Sequence, residues 1–311
     1  FLDPRPSLPH MVRFVEEAFA LSEASNMPAI LQLRIRACHV RGRFACRDNV
    51  APAISTRHPM AEPAAFDYAK LAHPPVVFGH EKLKVEERLP AARRHIVERG
   101  LNEVFDGASG DLGVVVLGGL YNSLVRALAA FGLADAFGAS TLPVLVLNVV
   151  HPLVPEQILG FCAGKRAVLV LEEGSPEFVE QEILAILRRA GASAVVEGKG
   201  PLPATGEYSV EAIARGLSAF LGRHAPELAL GEGDAWLASV AARRDAVAKA
   251  LEAPLPPRPP NFCIGCPERP VFAAMKLAKE TVGAIHVAAD IGCHSFATFE
   301  PFSQGHSILG Y

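Results

Sequence analysis

The chain has 311 residues, half of them hydrophobic and 20% charged, with a formal net charge of -3. That length is enough for more than one buried core and excludes a disordered or fibrous polypeptide. The near-neutral balance offers no basic surface to nucleic acid or to an anionic membrane, and no apolar run approaches the ~18 residues of a membrane span, so neither partner is expected. The amino terminus, FLDPRPSLPHMVRF, lacks both an initiating Met and the apolar centre of a signal peptide, and reads as cut from the interior of something longer. Of six cysteines, 38, 46 and 162 are scattered and 263, 266 and 293 are clustered, which is no secreted disulfide framework and points to a reducing, cytoplasmic setting.

Apolar residues recur at helical spacing over residues 8–24, with Glu16, Glu17 and Glu23 on the other face, so an amphipathic helix is expected, stopped by Asn26. Residues 28–35 then read as a buried strand. The basic loop that follows, Arg36-Ala-Cys-His39-Val-Arg41-Gly42-Arg43, lies where α/β folds place anion sites, although a solvated charged loop has the same composition. Residues 48–76, rich in Pro and Ala, read as a linker with one short helix near 66–71. Residues 81–104 carry a charged helical pattern in which Pro90 predicts two helices or a bend.

The middle of the chain alternates strand and helix: strands over 112–117, 143–148, 167–171 and 193–196, with helices over 121–131, 155–161, 177–190 and 210–221. Continuous apolar runs without alternation mean strands buried on both faces, as a parallel sheet with crossover helices requires. The expected fold class is therefore α/β with parallel, doubly wound sheets. Gly118-Gly119 follows the first of these strands and could cradle phosphate, but without a G-x-G-x-x-G or G-K-[ST] pattern close helix packing is the stronger reading. A helix over 235–251 and a stiff proline run, 254–260, lead to the last segment.

That segment holds the most specific text in the sequence: RPPNFCIGCPERPVFAAMK, a helix, the strand 284–289, and then Asp290-Ile291-Gly292-Cys293-His294. Cys263 and Cys266 stand in C-x2-C spacing and Cys293 follows 27 positions on. Gly265 lets the backbone fold back and bring two sulfurs together, so a soft metal or a cluster edge could be held. A disulfide, a thioredoxin-like redox pair or half of a zinc site would use the same spacing, and the residues alone leave these open.

The same two knots, with GHSILGY beyond them, resemble the thiamine-diphosphate-binding region of 2-oxoacid:ferredoxin oxidoreductases, most nearly the large subunit of the indolepyruvate enzymes. The family patterns are approximately F-C-x-G-C-P-H-R and G-D-I-G-C-Y. This chain departs at Glu268, where the family has His, and at Ala289, where it has Gly. The loop 36–43 is similar to the family's R-x-x-H-s-R-G segment. The stretches 148–153, 167–174 and 198–203 look like the carboxyl-terminal domain of transketolase-like enzymes, where Glu172 and Glu173 are expected to make interdomain contacts.

The resemblance implies a division into residues 1–50, the end of a pyrimidine-binding domain; 51–108, linker and helices; 109–225, a transketolase-like α/β domain; 226–260, helix and proline-rich linker; and 261–311, the start of a diphosphate-binding domain. It implies oxidative decarboxylation of a 2-oxoacid, with thiamine diphosphate, Mg2+, a 4Fe-4S cluster and coenzyme A. Ferredoxin would be the electron acceptor, and a smaller gamma-type subunit or fused domain would complete a homo- or hetero-oligomer. Cys263, Cys266 and Cys293 would be metal ligands, with a fourth ligand from elsewhere. Gly265, Asp290, Ile291, Gly292, Cys293 and His294 would line the cofactor, and His294 would be the candidate catalytic group. The family's Mg2+ segment and activating Glu fall outside residues 1–311, so the segment alone is expected to be inactive. Two other classes compete with this reading: a zinc- or cluster-stabilised scaffold without activity, and a flavin or nicotinamide dehydrogenase, which the missing dinucleotide fingerprint disfavours.

Overall fold

In the computed structural model, which describes residues 1–51, 67–229, 232–251, 253 and 261–309, the periodic apolar residues near the amino terminus form helix α1, Leu8–Ser25. Phe14 and Leu21 are buried, and Asn26 stops the helix in the left-handed conformation with its N–H on the Ser22 carbonyl. Residues 28–35 do not become the expected strand. Among the described residues their ladder contact is one parallel bridge, in which Leu2 donates to the Ile30 carbonyl and accepts from the Gln32 N–H, both at 2.8 Å. Ile30, Leu33 and Ile35 remain exposed, because β-prone side chains make a strand only where a neighbour supplies a ladder and a surface to pack on. Helix α2, Ile35–Cys38, closes this segment.

A short 3-10 turn, Tyr68–Lys70, precedes α3, Val76–Leu83, a π turn over Lys84–Arg88, and α4, Leu89–Glu98. The break expected at Pro90 is this π turn, in which the Leu89 N–H reaches back to the Lys84 carbonyl. Pro90 stands in the first turn of α4, and its ring would press on the carbonyl four residues earlier in a regular helix; the wider turn gives that carbonyl room.

The sheet is built from β1, Glu103–Phe105; β2, Leu112–Leu117; β3, Val144–Leu147; β4, Ala167–Leu171; and β5, Val195–Glu197. Their order is β1-β3-β2-β4-β5; β2 to β5 run parallel and β1 pairs antiparallel to β3, with Val104 opposite Leu145. Every residue of β2, β3 and β4 is buried, as their continuous apolar text predicts. Helices α5, Tyr121–Ala130, and α8, Val210–His224, cover one face, where Val114, Val146 and Leu169 meet Leu124, Leu217 and Phe220. Helices α6, Pro155–Cys162, and α7, Phe178–Ala190, cover the other, where Val115, Leu145 and Val168 meet Ile158, Phe161 and Ile183. The expected doubly wound α/β architecture is thus present. A third core joins α1 to α4 through Leu2, Phe14, Ala92, Ile96 and Leu101.

After α9, Pro226–Ala229, helix α10, Glu232–Ala250, crosses the division of the chain into two units, Phe1–Arg243 and Arg244–Tyr311. The proline run 254–260 lies outside the described residues. The second unit contains α11, Arg269–Val282; β6, Ala288–Asp290; α12, Cys293–Ala297; and β7, Ser307–Leu309, with β6 and β7 parallel. The strand expected over 284–289 is shortened to three residues, because β7 offers it only three partners. Phe262, Phe272 and Ala297 form the small core of this unit.

Candidate cysteine site in the carboxyl-terminal unit

The C-x2-C segment is a tight turn: the Cys266 N–H donates to the Cys263 carbonyl at 3.2 Å, and Gly265 takes a φ of 74°, which favours glycine. Ile264 stands fully exposed at its tip. The chain then enters α11 with Glu268 at the N-cap position. Gly292, with φ 141°, makes the second turn, from the end of β6 into α12, and places Cys293 at the first position of that helix.

Beneath the cysteines lies an aromatic nucleus. Phe262 packs on Phe272 at 5.5 Å, on Phe302 at 5.4 Å and edge-on to Phe296 at 5.9 Å, and Cys266 rests against the same cluster. The Cys293 thiol is pushed up from its ordinary value, first by partial desolvation and then by the nearby Glu268, Cys266 and Cys263 side chains, with a hydrogen bond to Glu268 contributing. The three thiols of the two turns are soft donors, whose chemistry suits a soft metal or cluster. Among the described residues no three His, Cys, Asp or Glu side chains stand in a closed metal-binding arrangement. Cys263 and Cys293 are exposed and Cys266 is half-buried.

Of the other residues singled out in the sequence, Asp290 turns its Oδ1 to the Ile291 N–H at 2.7 Å, capping the end of β6. His294 lies on Phe272 at 4.9 Å and its Nε2 is engaged with the Gln304 carbonyl at 3.1 Å, which leaves Nδ1 as the nitrogen able to meet a ligand. The contact of Cys293 with Glu268 has one trace in the sequence, that Glu268 stands where the similar family carries His, and sequence reasoning alone does not reach it.

In the first unit the loop 36–43 is not an open anion site at its start. Arg36 is taken up by Glu173 at 2.8 Å, Glu207 at 2.7 Å and the Tyr208 carbonyl at 2.9 Å. Glu173 thus ties this segment to the sheet, while Glu172 accepts from the Val179 and Glu180 N–H groups at 3.0 and 3.1 Å and anchors the start of α7. The two carboxylates expected to act alike do different work.

Comparison with known proteins agrees with the cysteine text. No family model matches the chain. It is 30% identical over 98% of its length to the indolepyruvate oxidoreductase subunit IorA of Methanothermobacter thermautotrophicus, covering 45% of that protein. The corresponding subunit of Methanothermobacter marburgensis is 27% identical over 98% of the chain, covering 45% of that protein, and that of Archaeoglobus fulgidus is 29% identical over 93%, covering 42%. A solved 2-oxoglutarate:ferredoxin oxidoreductase from Magnetococcus marinus covers 67% of the chain and is itself covered over 30%, at 14% identity and a TM-score of 0.32, too low to support an argument. The curated relatives are oxidoreductase subunits as a class. Within that class the chain is similar to the IorA subunits of indolepyruvate oxidoreductases along almost its whole length, and it spans a little under half the length of the relatives it matches.

Proposed function

We propose that this chain is the central portion of a thiamine-diphosphate-dependent 2-oxoacid:ferredoxin oxidoreductase of the indolepyruvate type. In that reading an aryl pyruvate is oxidatively decarboxylated to its acyl-CoA and the electrons pass to ferredoxin. The observation that carries it is similarity to IorA subunits along almost the whole chain, joined to the two cysteine knots of the second unit. The domain limits are assigned as 1–50, 51–108, 109–225, 226–260 and 261–311, from pyrimidine-binding end to diphosphate-binding start.

Cys263, Cys266 and Cys293 would hold the cluster, with the fourth ligand coming from another part of the enzyme. When bound, thiamine diphosphate with Mg2+ supplies the carbanion chemistry and the cluster removes electrons singly. The residues here have narrower tasks. Gly265 and Gly292, both at positive φ, would turn the backbone at the two cysteine knots so that the sulfurs can reach a shared cluster. Asp290, Ile291 and Gly292, at the carboxyl end of β6, line the cofactor's approach, where open α/β sheets receive ligands. His294, held by Phe272 and the Gln304 carbonyl, would have Nδ1 to offer the bound cofactor.

The test uses the full-length subunit with its partner subunit, expressed and purified without oxygen. Brown protein with about four irons per cysteine site, loss of that iron in Cys263→Ala, Cys266→Ala and Cys293→Ala, and viologen reduction dependent on an aryl pyruvate and coenzyme A are expected. Colourless protein holding zinc, with no turnover of any 2-oxoacid, would establish the scaffold reading instead.

A further inference from the structure

We propose that the crevice at the carboxyl ends of β2, β3 and β4 is an anion-binding site whose ligand is supplied by the chain itself, the Asp3 carboxylate held on the Arg34 guanidinium. The proposal is independent of what the cysteine unit does. Its first support is topological. β2 is flanked by β3 on one side and β4 on the other, all parallel, and the chain leaves β2 towards β3 but β4 towards β5, so these two connections run in opposite directions and open a crevice at the strand ends. Sheets of this type take their ligands there.

The crevice is filled by residues 2–5. Leu2 is completely buried and bridges both Leu31 and Val149. The Asp3 N–H donates to the Asn148 carbonyl, just past β3, at 2.8 Å, and the Arg5 N–H donates to Asn148 Oδ1 at 2.9 Å. The Asp3 side chain, 1% exposed, accepts three contacts from Arg34, at 3.2 and 3.1 Å from Nε and 2.8 Å from Nη2. The far side of the Arg34 guanidinium, through Nη1, is bound by Glu173, just past β4. The ends of β3 and β4 are thereby joined through the Asp3 backbone, its carboxylate, and the Arg34 guanidinium.

The glycine pair after β2 explains how a carboxylate fits so deep. A Cβ at Gly118 would land on the Asp3 carbonyl oxygen, and one at Gly119 would lie 2.5 Å from both Asp3 Oδ1 and the Arg34 side chain. The glycines that elsewhere admit phosphate here admit Asp3. An outside anion would have to displace a side chain that is covalently attached and therefore always at high effective concentration. The site is accordingly closed in the native chain, and removing the carboxylate should create a hole that accepts a small monovalent carboxylate in its place.

The experiment compares the full-length protein with Asp3→Ala and Asp3→Asn by thermal unfolding in sodium formate and in sodium chloride of equal ionic strength. Asp3→Ala should melt several degrees below the parent in chloride and recover much of that loss in formate. The parent and Asp3→Asn, whose amide fills the same space, should show no formate-specific gain. If Asp3→Ala does not fold in chloride, recovery of folded protein on refolding in formate is the equivalent readout. Equal melting of Asp3→Ala in the two salts, an equal formate gain in Asp3→Asn, or failure to fold in both would overturn the proposal.

Discussion

At the scale of single residues the first unit depends on polar groups that come from distant parts of the chain. Asn148, fully buried, donates to the Leu101 carbonyl at 2.9 Å and to Glu103 at 2.8 Å, and Glu103 also binds Arg5 through two contacts at 2.6 and 2.7 Å. Burial alone would raise the Glu103 carboxyl, but the hydrogen bonds from Arg5 and Asn148 outweigh it and hold the group below its ordinary 4.5. His10 is buried against Phe14, and its Nε2 has no hydrogen-bond partner, facing Glu103 at 3.7 Å. Burial pushes His10 below its ordinary 6.5; Glu103 and Asn148 pull it up, and Arg5 and Arg13 push it further down. The unfolded chain therefore binds a proton near pH 6.5 that the folded chain resists, so His10 makes stability complete above that pH and progressively lower beneath it. Replacing His10 by Phe should flatten the pH dependence of the urea midpoint just below 6.5. The Glu103 contribution should persist in that variant and be lost only as pH falls below about 4.5, through the folded value. None of these contacts was legible in the sequence, since Arg5 and Asn148 are 143 positions apart and the resemblance of the stretch 148–153 says nothing of what Asn148 faces.

At the scale of elements, legibility followed burial. β2, β3 and β4 could be read because each is covered on both faces, which forces continuous apolar text. β1, three residues long at the sheet edge, has no such text, and residues 28–35 have it without a sheet to join. Glycines sort in the same way. In α6, a Cβ at Gly160 would meet nothing within 4 Å, so Gly160→Ala should stabilise the protein by about 0.5–1 kcal/mol through helix propensity. Gly118→Ala would drive its methyl into the Asp3 backbone and should destabilise it by at least ~2 kcal/mol. Urea unfolding of the two variants beside the parent checks both signs, and a harmless Gly118→Ala would mean the close approach of Asp3 is not maintained in solution.

At the scale of the whole molecule the two units differ in how much each buries. The first has three apolar cores around a five-stranded sheet; the second has Phe262, Phe272 and Ala297 with a two-stranded one. Local opening is cheapest where few apolar groups are covered. Amide hydrogen exchange on this segment should therefore be much faster in α11, β6 and β7 than in β2 and β4, and similar protection in both units would contradict the division. The C-x2-C and D-I-G-C-H knots were legible because their glycines and cysteines are local in sequence. What they face, Glu268 for Cys293 and the Gln304 carbonyl for His294, depends on folding across the unit and left no pattern to read.

The π turn over Lys84–Arg88 has a consequence for how the helical arm is spelled. A regular helix advances about 100° per residue, so positions seven apart return to nearly the same side. Phe78, Val85 and Ala92 have that spacing, yet Ala92 is buried while Phe78 and Val85 are exposed. Neither α3 nor the π turn buries a side chain, and the turn's five-residue reach shifts the phase of the lettering between α3 and α4. The arm thus carries two reading frames, one on each side of Pro90's preceding turn, and its geometry is set by how many residues that turn contains as much as by which residues they are.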